Sequence, residues 1–312
     1  MGVFLINWAA YTPTVAVPLL LATLGLIISE RAGVLSLTVE GMMLIGAMVG
    51  IAAYLTLGGS PYLSFVVAML AAAAVSLIFA TLVILLRVNQ AVAGIAMVFL
   101  CQGLTSLLGE KMGWANRSIP GLRKIDLGAL SSLPVIGKIL FSQDLLVYLA
   151  VPLTILVLRL LEHTQVGLKL RAVGENPEAA DAAGIPVLRI RFGAVIAGSA
   201  LMGLAGAYLS IATSKLWIHN LVGGRGWIVV ALVIFARWSP WKAAGGALLF
   251  GCIEAVIPRL SAMGLQFPQY FVLMTPYLMT IAVMVYAALS QRSRLTAAPA
   301  ALGEPYVREE RR

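Results

Sequence analysis

The chain has 312 residues, of which 61% are hydrophobic and 11% charged, and its formal net charge is +9. Since a soluble domain carries about 25% charged residues, this composition excludes an ordinary soluble protein and indicates an integral membrane protein. The basic residues are scattered over short loops and the C-terminal tail, so the positive charge predicts no nucleic-acid partner. The two cysteines, Cys101 and Cys252, lie inside apolar runs and predict no disulfide framework.

Apolar runs of about 20 residues, the length that crosses the hydrocarbon layer, recur along the chain. They predict an all-α, multi-pass protein in which residues 1–290 form one transmembrane domain of about nine helices, with roughly eight to ten as the range. The N-terminus lacks the basic start of a cleaved signal peptide, so we expect the first run to remain as a span. The candidate spans in chain order are residues 13–29, 40–58, 62–86, 90–109, 144–161, 191–212, 226–238, 243–258 and 269–289.

The seventh candidate span is too short for a full crossing and follows a glycine-rich run at 223–226. We expect a broken or re-entrant helix there, with its irregular backbone buried in protein or lining a water-filled cavity. Small residues are frequent in the other spans. The stripe of Gly198, Gly203 and Gly206 predicts close packing of helices rather than a functional site.

Three polar regions interrupt the apolar pattern: residues 110–143, residues 163–190 and the tail at 291–312. If residues 163–190 face the cytoplasm, about 14 of the 22 basic residues lie on the inner side, in the direction of the positive-inside bias. This topology places the N-terminus outside and the C-terminus inside. Residues 110–143 then form an external loop, although their basic residues run against the same bias.

The external loop contains turn-forming sequences, Ile119-Pro120-Gly121 and Leu133-Pro134, which predict an ordered loop rather than a flexible linker. Its basic residues Arg117, Arg123 and Lys124 fit two interpretations. They anchor the loop to lipid headgroups, or they form a docking surface for an acidic external partner.

Residues that carry enzyme chemistry are sparse in this sequence. The two histidines, His163 and His219, have no carboxylate or cysteine at metal-ligand spacing, so no metal site is predicted. Ser199 with His219 lacks the flanking elbow and the orienting partner of a serine hydrolase. The sequence contains no GxxxxGK[ST] loop, so we expect no cofactor on this chain and any ATP on a separate subunit.

The most informative polar segment is residues 171–185. Asn176 is a good N-cap, Pro177 suits the first helical position, and Glu178 lies where the helix dipole favours an anion. Gly184 suits the left-handed position that ends a helix. The segment predicts a helix of about two turns, which is too short to be stable without packing on a neighbour. Its alanine-rich face suits insertion into a groove, and a plain surface connector is the alternative.

The run Gly174-Glu-Asn-Pro-Glu-Ala-Ala-Asp-Ala-Ala-Gly184-Ile185 resembles the coupling helix of membrane permeases of ATP-binding-cassette (ABC) importers. The resemblance is to the branch of branched-chain amino acid, ribose and nucleoside permeases. Further runs that begin at Ser29, Asn89 and Gly224 are similar to its nucleoside and simple-sugar permeases. Together the runs cover most of residues 20–255.

The resemblance implies a multi-pass protein of the bacterial inner membrane that is not itself an enzyme. Its implied partners are a cytoplasmic ATPase, a second permease subunit, an extracytoplasmic substrate-binding protein and membrane lipid. The coupling helix would fit a cleft on the ATPase and move with it. The residues assigned to this helix and its approach are Gly174, Glu175, Asn176, Pro177, Glu178, Ala179, Ala180 and Gly184.

Polar and aromatic residues in the spans are candidates for the transport path, because polar groups in lipid without partners are costly. Glu40 matches a glutamate common in the similar permeases and is either a helix-start acid at the interface or a substrate contact. The side-chain amides of the candidates either bind the solute or join helices. The aromatic rings either stack on a base of the solute or pack against neighbouring helices. The candidates are Glu40, Asn89, Gln90, Gln102, Phe99 and Trp227.

The sequence therefore predicts a permease subunit of an ABC importer that carries a small polar solute inward, a nucleoside or related purine first and a simple sugar second. The preference for a nucleoside rests on the resemblance alone. The alternative is a secondary transporter driven by an ion gradient. Such carriers keep carboxylates deep in the bilayer, whereas the glutamates here are expected near helix ends or isolated. These are Glu40, Glu110, Glu162 and Glu254.

Overall fold

The computed structural model describes residues 2–125, 128, 131, 136–262, 274, 278, 281–282, 285 and 298–306. In these residues the chain is helical apart from its connections and one isolated bridge between Ala115 and Trp217, which agrees with the all-α prediction. The helices are α1 (Gly2–Arg31), α2 (Val39–Thr56), α3 (Pro61–Ala80), α4 (Gln90–Lys111), α5 (Ile136–Leu140), α6 (Leu145–His163), α7 (Gln165–Glu175), α8 (Pro177–Ala182), α9 (Val187–Tyr208), α10 (Arg225–Ala236) and α11 (Pro240–Ala262), with π-helical turns Thr81–Leu85 after α3 and Leu209–Ser214 after α9.

Six helices in the described part of the chain are long and apolar enough to cross a membrane, namely α1, α2, α3, α4, α6 and α9. The seventh candidate span, α10, has 12 residues and is too short to cross. α11 has 23 residues but carries Lys242 and Glu254, and it is not among the six. The last candidate, 269–289, lies almost wholly outside the described residues. The predicted count of about nine spans is therefore not confirmed.

The long helices differ in how deeply they are buried. In the most apolar stretch of α1, 94% of the residues are buried, against 22% in α6. A helix that is apolar on all sides is stable when other helices enclose it, and α1 packs against α9, α10 and α11. α3, α4 and α6 instead expose large apolar side chains such as Leu70 and Leu156. These outer helices therefore face lipid or another membrane subunit.

Glycines let the central helices touch backbone to backbone. A Cβ at Gly206 on α9 would overlap the carbonyl of Met43 on α2, and a Cβ at Gly198 would overlap Gly25 on α1. Gly203 makes the same kind of close approach to α2 and α3. Because lipid provides little hydrophobic drive between helices, such close packing holds them together. The prediction that this stripe serves packing is confirmed.

One end of the bundle gathers the segments predicted to face the cytoplasm. The carbonyl of Trp238, just after α10, accepts a hydrogen bond from the guanidinium of Arg31 at the end of α1, at 3.2 Å. The N–H of Ala301 donates to the carbonyl of Gly174 in α7 at 2.9 Å. Residues 298–306 therefore lie at the same end as α7 and α8, as the predicted topology requires. We call this the coupling end.

The opposite, outer end is held by polar contacts. The hydroxyl of Tyr208 at the end of α9 donates to the carboxylate of Asp144, the residue that caps α6, at 2.5 Å. The N–H of Asn116 in the external loop donates to the carbonyl of Trp217 at 2.9 Å, and Trp217 itself is fully buried. Over its described part, the external loop is bound to the residues that follow α9 by backbone hydrogen bonds.

Candidate functional site

The short helix α8 forms where the sequence predicts it. The side chain of Asn176 accepts a hydrogen bond from the N–H of Ala179 at 2.9 Å, and Pro177 is the first helical residue. Gly184 has a φ of +80°, the left-handed conformation that ends a helix, and its N–H donates to the carbonyl of Asp181 at 2.9 Å. Because both ends are satisfied locally, the sequence of α8 itself defines the helix.

A helix that the sequence analysis did not separate precedes α8. α7 has 11 residues and is capped by Thr164, whose side chain accepts from the N–H of Gly167 at 3.1 Å. Leu170 and Val173 are buried against the bundle, and Val166 is exposed. α7 is therefore an amphipathic arm that lies on the coupling end and leads directly into α8.

The two faces of α8 differ. Ala180 is 4% exposed and points into a small apolar cluster of the bundle, so it anchors the helix rather than meeting a partner. Gly174 also faces inward, since a Cβ there would overlap the carbonyl of Arg31. The outer face is exposed and low in relief, as a helix inserted into a groove needs. Its residues are Glu178, Ala179, Ala182 and Ala183, and the cluster around Ala180 is Val173, Val187 and Tyr306.

Two breaks in the helical path meet inside the bundle. Residues 32–38 are non-helical and lead from α1 into α2, and residues 215–224 are non-helical and lead into α10. Gly223 and Gly224 have φ values of +59° and +87°, which other residues rarely adopt, and they turn the chain into α10. α10 is thus the broken helix that the sequence predicts. Discontinuous helices of this kind commonly form solute sites in transporters.

Glu40 joins the two helix starts. It lies in the first turn of α2, is 6% exposed, and its carboxylate accepts hydrogen bonds from the N–H of Gly224 at 2.8 Å and of Gly226 at 2.6 Å. Gly226 is required here, because a Cβ would collide with Glu40. The start of a helix carries partial positive charge, so the two bonds and the helix dipole together stabilise the buried carboxylate.

An ion pair lies beside Glu40. Nε of Arg225, the first residue of α10, is 3.2 Å from Oε1 of Glu254 on α11. The guanidinium also donates to the carbonyl of Val222 at 3.2 Å. We call Glu40, Arg225 and Glu254 the charged cluster. Its charges are satisfied by one another and by backbone groups, so it does not present an unpaired charge to a solute.

The charged cluster lies about halfway through the bundle. α10 has 12 residues and ends at the coupling end, so at 1.5 Å per residue its start is about 18 Å from that end. On the same basis, Glu254 lies about 21 Å along α11 from Pro240. Since the hydrocarbon layer is about 30 Å thick, both distances place the charges near its middle. Charges at this depth face protein or a water-filled cavity.

Two expectations from the sequence change. Glu254, expected near a helix end or isolated, lies within α11 and pairs with Arg225. Glu40 starts a helix as expected, but this start is near mid-depth and not at the interface. Glu110 and Glu162 are exposed near the ends of α4 and α6, as expected. Opposite charges in two neighbouring apolar spans were the signal that could have revealed the ion pair.

The amide candidates lie on α4. Oε1 of Gln90 accepts from the N–H of Leu35 at 2.6 Å, and Asn89 caps α4 by accepting from the N–H of Val92 at 3.1 Å. Both lie at the coupling end. The contact of Gln90 joins α4 to residues 32–38, whereas that of Asn89 stays within the first turn of α4. Gln102 is half-buried further along α4.

The two aromatic candidates, Trp227 and Phe99, differ in position and in exposure. Trp227 follows Gly226 in the first turn of α10, beside the charged cluster, and is 39% exposed. Phe99 lies on the exposed face of α4 and is 67% exposed. Of the candidates from the sequence, the structure therefore brings Glu40 and Trp227 to one place. The docking candidates Arg117, Arg123 and Lys124 are exposed on the external loop.

Comparisons with known proteins identify the family of the chain. The family described as branched-chain amino acid transport system / permease component matches residues 9–284. A putative glucose ABC transporter permease protein of Haloferax volcanii is 40% identical, with 96% of each chain covered. The guanosine ABC transporter permease protein of Bacillus subtilis is 35% identical, with 95% of each chain covered. The nucleoside ABC transporter permease protein of Lactococcus lactis subsp. cremoris is 33% identical, covering 86% of this chain and 87% of that one.

No solved structure matches the chain. In such systems the permease is a transport subunit and not an enzyme, the ATPase is a separate subunit, and a substrate-binding protein is a further partner. The family match and the apolar spans make the chain a multi-pass protein of the inner membrane. Because relatives are matched almost from end to end, the chain belongs to the branched-chain amino acid transport system / permease component family, as a membrane permease subunit of an ABC transporter.

Proposed function

We propose that the chain carries a nucleoside inward as part of an ABC importer, with a simple sugar as the second candidate. The names of the relatives support this substrate class, since they include guanosine, nucleoside and glucose permeases. Nucleosides and sugars are neutral and rich in hydroxyl groups. A path for them needs hydrogen-bonding groups but no unpaired counter-charge. The charged cluster fits this need because its own charges are already satisfied.

The observation that carries the proposal is that one member of the charged cluster, Arg225, is partly exposed at mid-depth. The side chain of Arg225 is 33% exposed, and the neighbouring Trp227 is 39% exposed. An arginine facing lipid at the bilayer centre costs at least about 2.5 kcal/mol. Protein or water must therefore cover this face. We infer that a second permease subunit, identical or different, lies against it and encloses the path between the two subunits.

The energy enters at the coupling end. ATP binds to the separate ATPase, which receives the exposed face of α8 in a groove, and this chain holds no cofactor. When the ATPase closes, α8 and α7 move together, because no flexible linker separates them. Gly174 in α7 touches the carbonyl of Arg31 at the end of α1, so the motion reaches residues 32–38 and then Glu40. The binding protein delivers the solute to the external loop at Arg117, Arg123 and Lys124.

The coupling step is tested by placing bulk on the exposed face of α8. Ala182→Arg puts a long charged side chain on this face, whereas Ala182→Ser at the same position keeps it low in relief. In proteoliposomes with the complete transporter, we expect Ala182→Arg to lower uptake at least tenfold and to reduce recovery of the ATPase with the permease. Ala182→Ser should transport normally. Normal uptake by Ala182→Arg would contradict α8 as the contact with the ATPase.

The substrate and the energy source are tested in the same proteoliposomes. Labelled guanosine and labelled glucose are offered with the binding protein, with and without ATP on the ATPase side. We expect ATP-dependent uptake of guanosine that excess unlabelled nucleoside abolishes and an ionophore leaves unchanged. Uptake that follows an ion gradient and ignores ATP would contradict the importer.

A further inference from the structure

The C-terminal residues 298–306 are non-helical and are bound to the arm that carries α8. The N–H of Ala301 donates to the carbonyl of Gly174 at 2.9 Å. The N–H of Ala300 donates to the carboxylate of Glu175, the last residue of α7, at 3.3 Å. The first half of this segment is therefore fixed to α7 at the point where α8 begins.

An apolar contact holds the same segment to α8. Tyr306 is 8% exposed and belongs to the apolar cluster that buries Ala180, the inward-facing residue of α8. The other members are Val173 of α7 and Val187 of α9. Since an isolated helix of this length is marginal in water, α8 depends on this cluster for its position. The C-terminal segment thus supplies part of the seat of α8.

The same segment is also bound to the break before α2. The N–H of Gly303 donates to the carbonyl of Gly33 at 3.3 Å. The carbonyl of Glu304 accepts from Nε2 of Gln90 at 3.4 Å, and Oε1 of Gln90 accepts from the N–H of Leu35 at 2.6 Å. Residues 32–38, which lead directly to Glu40, are therefore held by one short segment that also holds α7 and α8.

Arg191 on α9 is also bound to this segment. Arg191 is 2% exposed, and its Nη1 donates to the carbonyl of Glu304 at 3.1 Å. Its Nε and Nη2 have no hydrogen-bond partner among the described residues. A buried guanidinium without an acceptor is strongly unfavourable, so Arg191 needs the carbonyl that Glu304 provides. The inner end of α9 and the C-terminal segment therefore depend on each other.

We propose that residues 298–306 are a clamp that joins α7 and α8 to residues 32–38, so that movement of α8 by the ATPase is transmitted to Glu40. This inference rests on the proposed function and adds an element to its coupling step. Without the clamp, α8 still has its own caps and its exposed face. It then moves without carrying residues 32–38 with it, and ATP hydrolysis is separated from transport.

The clamp is tested with two shortened chains in the complete transporter. One ends after Ala297 and lacks the clamp, and the matched control ends after Tyr306 and keeps it. Binding of the ATPase, ATP hydrolysis and uptake are measured for each. We expect the chain that ends after Ala297 to bind the ATPase normally and hydrolyse ATP, but to take up at least tenfold less solute per ATP. The control should match the full chain.

Two results would overturn the clamp: unchanged uptake per ATP in the chain that ends after Ala297, or loss of ATPase binding there, which would make the segment a docking surface. A full-length pair covers the case in which the shortened chain does not fold. Tyr306→Ala removes the ring from the cluster and should lower uptake per ATP, whereas Tyr306→Phe retains the ring and should lower it less. Equal efficiency of the two variants would also contradict the clamp.

A cross-link tests whether the joined parts move together. Glu175→Cys and Ala300→Cys are combined in a chain whose two native cysteines are replaced by serine, and a short bifunctional thiol reagent links them. If the two parts move as one, uptake is the same before and after linking. Loss of uptake on linking would overturn the proposal. If the unmodified transporter shows no ATP-driven uptake, the proposed function fails instead, which keeps the two failures distinct.

Discussion

Helix α8 and the charged cluster are built in opposite ways. α8 is defined by hydrogen bonds within its own segment, such as that from the N–H of Ala179 to Asn176, and one face of it is exposed. The charged cluster draws Glu40, Arg225 and Glu254 from three helices, and the bonds of Glu40 join residues 184 and 186 positions apart. Because its caps are local, α8 keeps its hydrogen bonds when it moves together with the residues packed on it. A cluster made by three helices changes only when those helices shift, so it responds to movement rather than starting it.

The largest loss of stability and of uptake is expected when Glu40 is replaced, because its two hydrogen-bond partners belong to the start of another helix. Glu40→Ala removes the carboxylate that accepts from the N–H groups of Gly224 and Gly226. Since each hydrogen bond to a charged group contributes about 1.5–3 kcal/mol, we expect a loss of about 3 kcal/mol or more in the free energy of unfolding. Uptake should fall to background. Thermal unfolding in detergent and uptake in proteoliposomes measure the two effects.

The matched control for this change is Glu162→Ala, which removes an exposed glutamate near the end of α6. We expect this variant to keep both its unfolding temperature and its uptake. Transport at the normal rate by Glu40→Ala would show that the charged cluster neither lines the transport path nor controls passage along it.

The second effect concerns the ion pair. Arg225→Ala leaves the carboxylate of Glu254 without its cation near mid-depth, so we expect uptake to fall about tenfold, which corresponds to about 1.4 kcal/mol. If the two residues act as a pair, the double variant with Glu254→Ala should lose no more than the worse single variant. Uptake is measured for all three variants. If the fold-loss of uptake in the double variant equals the product of the two single fold-losses, the residues act independently and a joint role is contradicted.

The contrast between the two regions also explains what the sequence predicts. The caps of α8 act within ten residues, so Asn176, Pro177 and Gly184 predict both of its ends. The charged cluster requires α2 to lie beside α10, which no local pattern encodes. The position of Glu40 was also concealed, because the sequence shows that residues 30–39 separate two spans but not how deep this connection lies. An acid at the start of an apolar run therefore resembled an interfacial residue.

For the fold as well, the features encoded by local sequence were predictable and the long-range contacts were not. The long apolar runs predicted the spans because composition alone determines what enters lipid. The break before α10 followed from the glycine-rich run at 223–226, and in the structure Gly223 and Gly224 have positive φ values. The clamp was not predictable, since its bonds join Gly33 and Gly174 to the polar tail through backbone groups that every residue carries. Arg191 donates to the clamp from its side chain, but the sequence does not reveal that an arginine beside a polar loop is buried.

A smaller effect is expected at the cap of α8. Asn176→Ala removes the side-chain acceptor for the N–H of Ala179, which costs about 1 kcal/mol of helix stability. We expect uptake to fall by a factor of about five or less, since the ATPase groove and the apolar cluster still hold the helix. Asn176→Asp retains an acceptor and should transport normally. A complete loss of uptake in Asn176→Ala would show that α8 is less independent than its local bonds indicate.

The smallest effect is expected at the external loop. Replacing Arg123 and Lys124 with glutamate should weaken docking of the binding protein several-fold at low salt, and the difference should shrink at high salt because exposed charges are screened. Lys138→Glu, a charge reversal elsewhere on the same loop, is the control. Affinity is measured by titrating the binding protein onto the reconstituted transporter. An unchanged affinity would leave lipid anchoring as the role of these basic residues.

The central claim is that movement of α8 changes the charged cluster. It is tested most directly by the reactivity of a cysteine that replaces Trp227, beside the cluster, in a chain whose Cys101 and Cys252 are serine. A membrane-impermeant thiol reagent is applied to the complete transporter with and without a non-hydrolysable ATP analogue. We predict that the analogue changes the labelling rate at least fivefold, and that Ala182→Arg on α8 abolishes this change. A rate that ignores the nucleotide, or that responds equally in Ala182→Arg, would contradict the account.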